Sequence, residues 1–353
     1  MRRDKNVRAA LAVLGALVAL GCDGEHAAPD ADMGGLDAGP DEGMDGGTDR
    51  DSGDDRDDGG DRDDAGLPTA APTMFREVAR GGFTSPTDAV ASPDGRTFYF
   101  AAFTLEGIAA IFTVPADGSA EATVRFEGAP LIYPSGLALS CDGATLYIAD
   151  AVVDPEDDGK VGSILQMPVA GTTPPIPLGI TTIAEPNAVS IGSDCEELII
   201  SGRTRAGEQT IFSSAIGPVD PTVVAMSGVL RAPTGLTAEE SGTIYALDHL
   251  AEGENGRGSL LRIDASGTTT VASGLRLGTP GGITMTPGGG NVVIGSRRAD
   301  GTAVLTVFNT SSMATTEVAL PEAFVDPAGL RAARSAGVYA IVDSEGAAIY
   351  RGE

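Results

Sequence analysis

The chain has 353 residues, 42% hydrophobic and 21% charged, and its 23 Lys+Arg face 50 Asp+Glu for a formal charge of −27. Length allows two ordinary domains or one large all-β domain, and the acidic balance argues against a nucleic-acid binder, which needs a basic footprint to displace counterions from phosphates. With 49 Gly, 22 Pro and only His26 and His249, the composition points away from helical bundles and from most His-dependent catalysis and zinc chemistry. Charge is unevenly distributed: residues 1–22 sum to +3 and residues 23–65 to −14, leaving −16 for the remainder, as if three segments had three jobs.

The first element is a basic stretch, Met1–Arg8, followed by the apolar run Ala9–Leu20. That run is too short to span a bilayer as a permanent helix and has the n-region and h-region of a secretory signal. It closes on Ala19-Leu20-Gly21-Cys22. These residues resemble the bacterial lipoprotein signal, whose lipobox ends in a cysteine that is diacylated before cleavage; Ala19 stands where that family prefers Leu. The resemblance implies a signal peptide over 1–21 and a mature chain held to a membrane by lipid on Cys22. It also implies a location at the bacterial cell envelope, on the periplasmic face or at the outer membrane. Each buried acyl methylene adds about 0.8 kcal/mol to such an anchor.

Residues 22–73 form the second segment, with near-repeats such as Asp54-Asp55-Arg56-Asp57-Asp58-Gly59-Gly60-Asp61-Arg62-Asp63-Asp64. Large apolar residues are nearly absent, so the stretch cannot bury enough area to offset its ordering entropy and is predicted to be a disordered acidic tether. As a flexible coil it spans roughly 40 Å, more with like-charge repulsion. It lacks the fixed ligand spacing of a calcium loop.

From residue 74 onward a proline-led signature recurs: Pro86-Thr87-Asp88-Ala89-Val90, Pro134-Ser135-Gly136-Leu137-Ala138, Pro186-Asn187-Ala188-Val189-Ser190, Pro233-Thr234-Gly235-Leu236-Thr237, Pro280-Gly281-Gly282-Ile283-Thr284 and Pro327-Ala328-Gly329-Leu330-Arg331, at intervals of 48, 52, 47, 47 and 47 residues. Tight turns such as Ser92-Pro93-Asp94-Gly95 and Ser140-Cys141-Asp142-Gly143 precede β-rich runs, and Asp-Gly between such runs is a hairpin signal. Four short strands in under fifty residues, six times over, predict an all-β six-bladed β-propeller of four-stranded blades over 74–353. The last unit stops one strand short, and Glu77-Val78-Ala79 stands before Pro86 much as Glu317-Val318-Ala319 stands before Pro327. An N-terminal strand is therefore expected to complete the last blade, close the ring and seal its sheet edge.

The Pro-x-Gly signatures and the strand ends Tyr147–Asp150 and Tyr245–Asp248 resemble NHL-repeat and gluconolactonase-like (SMP-30-like) propellers over 74–353. Gluconolactonase-like enzymes hold a calcium or zinc ion near the channel with Glu, Asn and Asp residues, and an Asp acts on the lactone. Here the residues after the leading prolines are Thr87, Ser135, Asn187, Thr234, Gly281 and Ala328; only Asn187, with Asp88 nearby, suits a metal, so the first shell of such a site is incomplete. Asp150, Asp248 and Asp343 end their second strands, where hydrogen bonds to backbone amides of the following loop are the expected role. His249 follows Asp248 on the opposite face of the strand, and no G-x-S-x-G elbow exists. Variable polar loops place recognition on the rim formed by the proline-led loops and the loops between second and third strands, two of which are acidic through Asp154, Glu156, Asp157 and Asp158 and through Glu252 and Glu254. Candidate rim ligands are Asp88, Asp150, Asn187, Asp248 and Asp343. Cys141 and Cys195 lie in the first turns of adjacent blades in an oxidising compartment, so a disulfide is expected. Two functional readings result. The first is a monomeric, membrane-tethered scaffold without cofactor that binds an envelope protein or small ligand. The second is a metal-dependent lactonase with calcium or zinc around Asn187, Asp88 and Asp248.

Overall fold

Runs such as Thr97-Phe98-Tyr99-Phe100 and Asn291-Val292-Val293-Ile294 are rich in β-branched and aromatic side chains and fenced by turn residues, a composition that suits a pleated, buried surface. In the computed structural model they are strands. The structure describes residues 67–353 apart from 153–161, 172, 227, 229 and 254–256. The signal, Cys22, the tether up to residue 66, and loop residues Asp154, Glu156, Asp157, Asp158 and Glu254 lie outside the described residues. Among the described residues there are 24 strands and no helix.

Strand β1 (Phe75–Arg80) is followed by a first group, β2 (Thr84–Ala91), β3 (Thr97–Phe103), β4 (Ala109–Pro115) and β5 (Thr123–Glu127). The second group is β6 (Pro134–Leu139), β7 (Thr145–Asp150), β8 (Ser163–Pro168) and β9 (Ile176–Pro177); the third is β10 (Ile183–Ile191), β11 (Glu197–Thr204), β12 (Gln209–Ala215) and β13 (Thr222–Met226). The fourth is β14 (Pro233–Ala238), β15 (Ile244–Asp248), β16 (Gly258–Asp264) and β17 (Gly267–Leu277), and the fifth β18 (Ile283–Met285), β19 (Asn291–Arg297), β20 (Ala303–Asn309) and β21 (Thr315–Ala319). The sixth is β22 (Pro327–Ala332), β23 (Tyr339–Asp343) and β24 (Ala348–Gly352).

Every group is an antiparallel meander. The first three are separate four-stranded sheets, and β1 pairs with β24, from Phe75↔Gly352 to Arg80↔Ala348, to give the four-stranded order β1-β24-β23-β22. The fourth and fifth groups depart from the expectation of six separate sheets. Arg276 and Leu277, at the end of the long β17, pair with Arg297 and Ser296 of β19 and join the two groups into one eight-stranded sheet. Residues 68–73, counted with the tether in the sequence, are bonded to this unit: Pro68 O accepts from Gly288 N (3.0 Å) and Thr73 N donates to Glu353 O (3.0 Å).

The core lies between groups. Ile111 and Ala101 pack with Leu137, Ile148 and Leu165 of the second group; Tyr147 and Ile164 with Val189, Ile200 and Phe212 of the third; Ile199 and Ile211 with Leu236 and Leu261 of the fourth. Tyr245 and Leu260 then meet Ile283 and Phe308, Val293 and Leu305 meet Leu330 and Ile341, and Val342 and Ile349 of the sixth group meet Ala89, Phe100 and Phe112 of the first. Each Val, Leu, Ile or Phe among them contributes about 1.5–3 kcal/mol on burial. The outer strands β5 and β21 are largely exposed, as edges facing water should be.

The repeated glycine marks the closest approach between groups. A Cβ on Gly136 would come within 2.9 Å of Ala188 Cα, one on Gly235 within 2.2 Å of Gly281 O, one on Gly282 within 1.9 Å of Ala328 O, and one on Gly329 within 2.3 Å of Asp88 Oδ1. Side-chain hydroxyls one residue earlier do related work: Thr87 Oγ1 donates to Pro134 O (2.7 Å) and Ser135 Oγ to Pro186 O (3.2 Å). The Pro-x-Gly repeat is thus a device for bringing neighbouring inner strands together.

Candidate ligand-binding basin

Two signature positions further on, where the inner strands have passed the glycine contact, small residues prevail: Val90, Ala138, Ser190, Thr237, Thr284 and Arg331, followed by Ala91, Leu139, Ile191, Ala238, Met285 and Ala332. All twelve line one cavity of about 960 Å³. Its upper wall is made by the turns that end the inner strands, including Ser140, Cys141, Ser193, Glu239, Glu240, Pro287–Gly290 and Arg334, and by Leu67 where the chain joins the unit. The basin therefore opens at the end opposite the proline-led loops. The rim chosen from loop length and polarity lies at the other end.

The floor carries an ion pair. Asp88 stands where four of the repeats have glycine, and its side chain is buried. Ala89 N donates to its Oδ1 (2.9 Å), Leu137 N donates to its Oδ2 (2.9 Å), and Arg331 Nη2 lies 3.8 Å from Oδ2. Burial raises the Asp88 pKa, while Arg331 and the two amides oppose that shift. Arg331 also donates through Nη1 to Ile283 O (2.5 Å) and through Nη2 to Val189 O (3.2 Å). One guanidinium thus touches the first, third and fifth groups from the sixth. Above it, Arg334 Nη2 donates to Ser193 O (2.9 Å), again reaching from sixth to third. In the fourth group, Glu239 accepts from Ser241 Oγ (3.2 Å) and from Tyr245 Oη (3.4 Å), whose pKa is pushed up to about 12, mainly by burial.

The turns themselves are built alike. In Ser92-Pro93-Asp94-Gly95, Ser92 Oγ donates to Asp94 Oδ1 (2.6 Å) and Gly95 takes φ +69°; Ser140 and Asp142 repeat the bond (2.6 Å) with Gly143 at +73°. The third group has Cys195 in the glycine's place at φ +67°, and the structure joins Cys195 to Cys141, Cα atoms 5.8 Å apart, tying the turns of the second and third groups at the basin's edge.

The other candidate residues lie elsewhere. Asp150, fully buried, accepts from the amides of Ile132 (2.8 Å), Tyr133 and Val152. Asp248 accepts from Arg231 (2.7 Å), Ala232 (2.8 Å) and Leu250, and Asp343 from Val325 (3.0 Å), Asp326 (2.9 Å) and Gly346 (2.9 Å). Each carboxylate holds the loop before its own inner strand as well as the loop that follows, a wider role than the sequence implied. Asn187 follows Pro186 in the third proline-led signature and is half-buried. Among the described residues no group of three or more His, Cys, Asp or Glu is placed to hold a metal ion, and of the expected ligands Asp88 is engaged by Arg331 and two amides and Asp248 by three amides. His249 sits against Thr279 (Nε2–Oγ1 3.4 Å), and burial lowers its pKa. Arg331, missed in the sequence, had a signal: it is the one charge at its signature position in six repeats, as Asp88 is at its own.

No protein-family profile matches the chain, and no curated protein matches it significantly. Solved structures do. A gluconolactonase from Xanthomonas campestris aligns at 14% identity over 80% of this chain and 90% of that one, with a TM-score of 0.58. Regucalcin, a calcium-binding protein from Agrobacterium tumefaciens, aligns at 14% over 81% and 95%, with a TM-score of 0.56. A protein of unknown function from Bacteroides thetaiotaomicron aligns at 16% over 80% and 72%, with a TM-score of 0.57. At these identities the likeness concerns architecture alone, and that architecture is an all-β, β-propeller fold of the gluconolactonase and regucalcin type.

Proposed function

We propose that the chain is a lipid-anchored envelope protein whose six-bladed propeller, closed by β1, binds a small ligand in the basin. The carrying observation is that equivalent positions of all six repeats line one concave cavity, while the acids at the opposite end are engaged by backbone amides. Six blades are supported by the six repeats and by core clusters that run from each group to the next and from the sixth back to the first. Anchoring is supported by the basic and apolar run ending in Cys22. Metabolic labelling with an alkynyl palmitate in a bacterial host tests it: the wild-type chain takes up label and Cys22→Ala does not, and equal labelling of both removes the anchor.

The alternative is a metal-dependent lactonase, supported only by the shared fold. Metal analysis of the purified chain together with turnover of a lactone panel separates the two. The binding reading predicts no stoichiometric calcium or zinc and no turnover. Metal-dependent hydrolysis would overturn it.

A further inference from the structure

We propose that the basin takes a zwitterion, a small molecule with a carboxylate and an ammonium group, of the amino acid or short peptide class; this rests on reading the basin as the binding site. At about 960 Å³ the cavity is at the upper end of the range for small-molecule sites. Its charges are segregated by repeat. The sixth contributes Arg334, exposed and bonded only to the Ser193 carbonyl, with no carboxylate paired to it among the described residues. The fourth contributes Glu239 and Glu240, neither with a cationic partner among the described residues. Between them lies the fifth repeat's turn, Pro287-Gly288-Gly289-Gly290, which has no charged side chain and is backed at Gly288 by Leu67 and Thr69. Arg331 below is already neutralised by Asp88, so the net cationic contact is Arg334.

Electrostatic complementarity then sorts ligand classes. A neutral sugar or lactone uses neither charge. A dianion is repelled by the glutamates and by Asp94, Asp142 and Asp194 on neighbouring turns, and a dication leaves Arg334 without a counter-charge. A bipolar molecule places its carboxylate at the guanidinium and its ammonium at the glutamates, while Leu139, Ile191 and Met285 offer apolar contact for a side chain.

Isothermal titration of the full chain with glycyl-leucine, its N-acetyl and C-amide forms, and glucono-lactone tests this. The free dipeptide is expected to bind, with each blocked form at least tenfold weaker. Arg334→Gln should abolish discrimination against the amide, and Glu240→Gln discrimination against the acetylated form. Blocked and free dipeptides binding alike, or both variants discriminating like wild type, would overturn the assignment. Lactone binding without dipeptide binding, lost in Ser241→Trp on the exposed basin wall at unchanged melting temperature, would overturn the zwitterion and leave the basin reading standing. Absence of binding by every probe would remove both.

Discussion

Asp88 and Arg331 show how a repeat announces its exceptions. At Asp88's position the other repeats have Gly136, Ala188, Gly235, Gly282 and Gly329, because the backbone of the next inner strand leaves no room for more. A carboxylate fits in the first repeat because it accepts the Leu137 amide instead of colliding with it. Removing one partner of a buried pair strands the other charge, at about 3–5 kcal/mol. Arg331→Met is therefore expected to lose about 3 kcal/mol in urea unfolding, and Asp88→Ala combined with Arg331→Met to lose less than the sum of the singles. His249 makes a second residue-scale prediction. Burial puts its folded pKa below the ordinary value of 6.5, so the unfolded chain takes the proton first as pH falls. Stability is thus intact above pH 6.5 and is lost as pH drops below it toward the folded value. His249→Gln should flatten the melting temperature between pH 7.5 and 5 relative to wild type. Asp88 drew notice in the sequence as a metal ligand. Its true partner did not, because an arginine 243 positions away meets it only when the sixth group packs against the first.

Among the elements, the strands were the most legible. Asp-Gly turns locate β3 and β7, and β-rich runs after other glycine turns locate β15 and β23; most residues of these middle strands are buried. The continuation of β17 into the fifth group was not legible, since its last two residues pair according to which strand lies beside them, a tertiary fact. The disulfide follows from equivalent turns in adjacent groups: both cysteines sit in the first hairpin, and inter-group packing brings those hairpins together. In the chain-entropy account a crosslink over 54 residues stabilises by about 4 kcal/mol. The double variant Cys141→Ser/Cys195→Ser should lose most of that in chemical unfolding, whereas adding reductant to it should change nothing further.

For the whole molecule, a spacing near 47 residues carried the architecture, and the place of the large cavity was what the sequence hid. Loop length and polarity pointed to the proline-led end. Yet that is the end where glycines press the inner strands together, so the open volume lies beyond the glycines, where Ala138, Ser190, Ala238 and Ala332 leave room. A basin of this kind needs a complete ring, and the proposed closure rests on β1 paired with β24, with Val78 and Ala79 buried behind it. The most direct measurement is the thermal unfolding of two truncations, one lacking residues 1–66 and one lacking residues 1–80. The first is expected to melt like the full chain. The second should melt about 10 °C lower, the shift that a loss of several kcal/mol produces in a domain of this size. Equal melting temperatures for the two truncations would contradict closure by the N-terminal strand, and with it the basin.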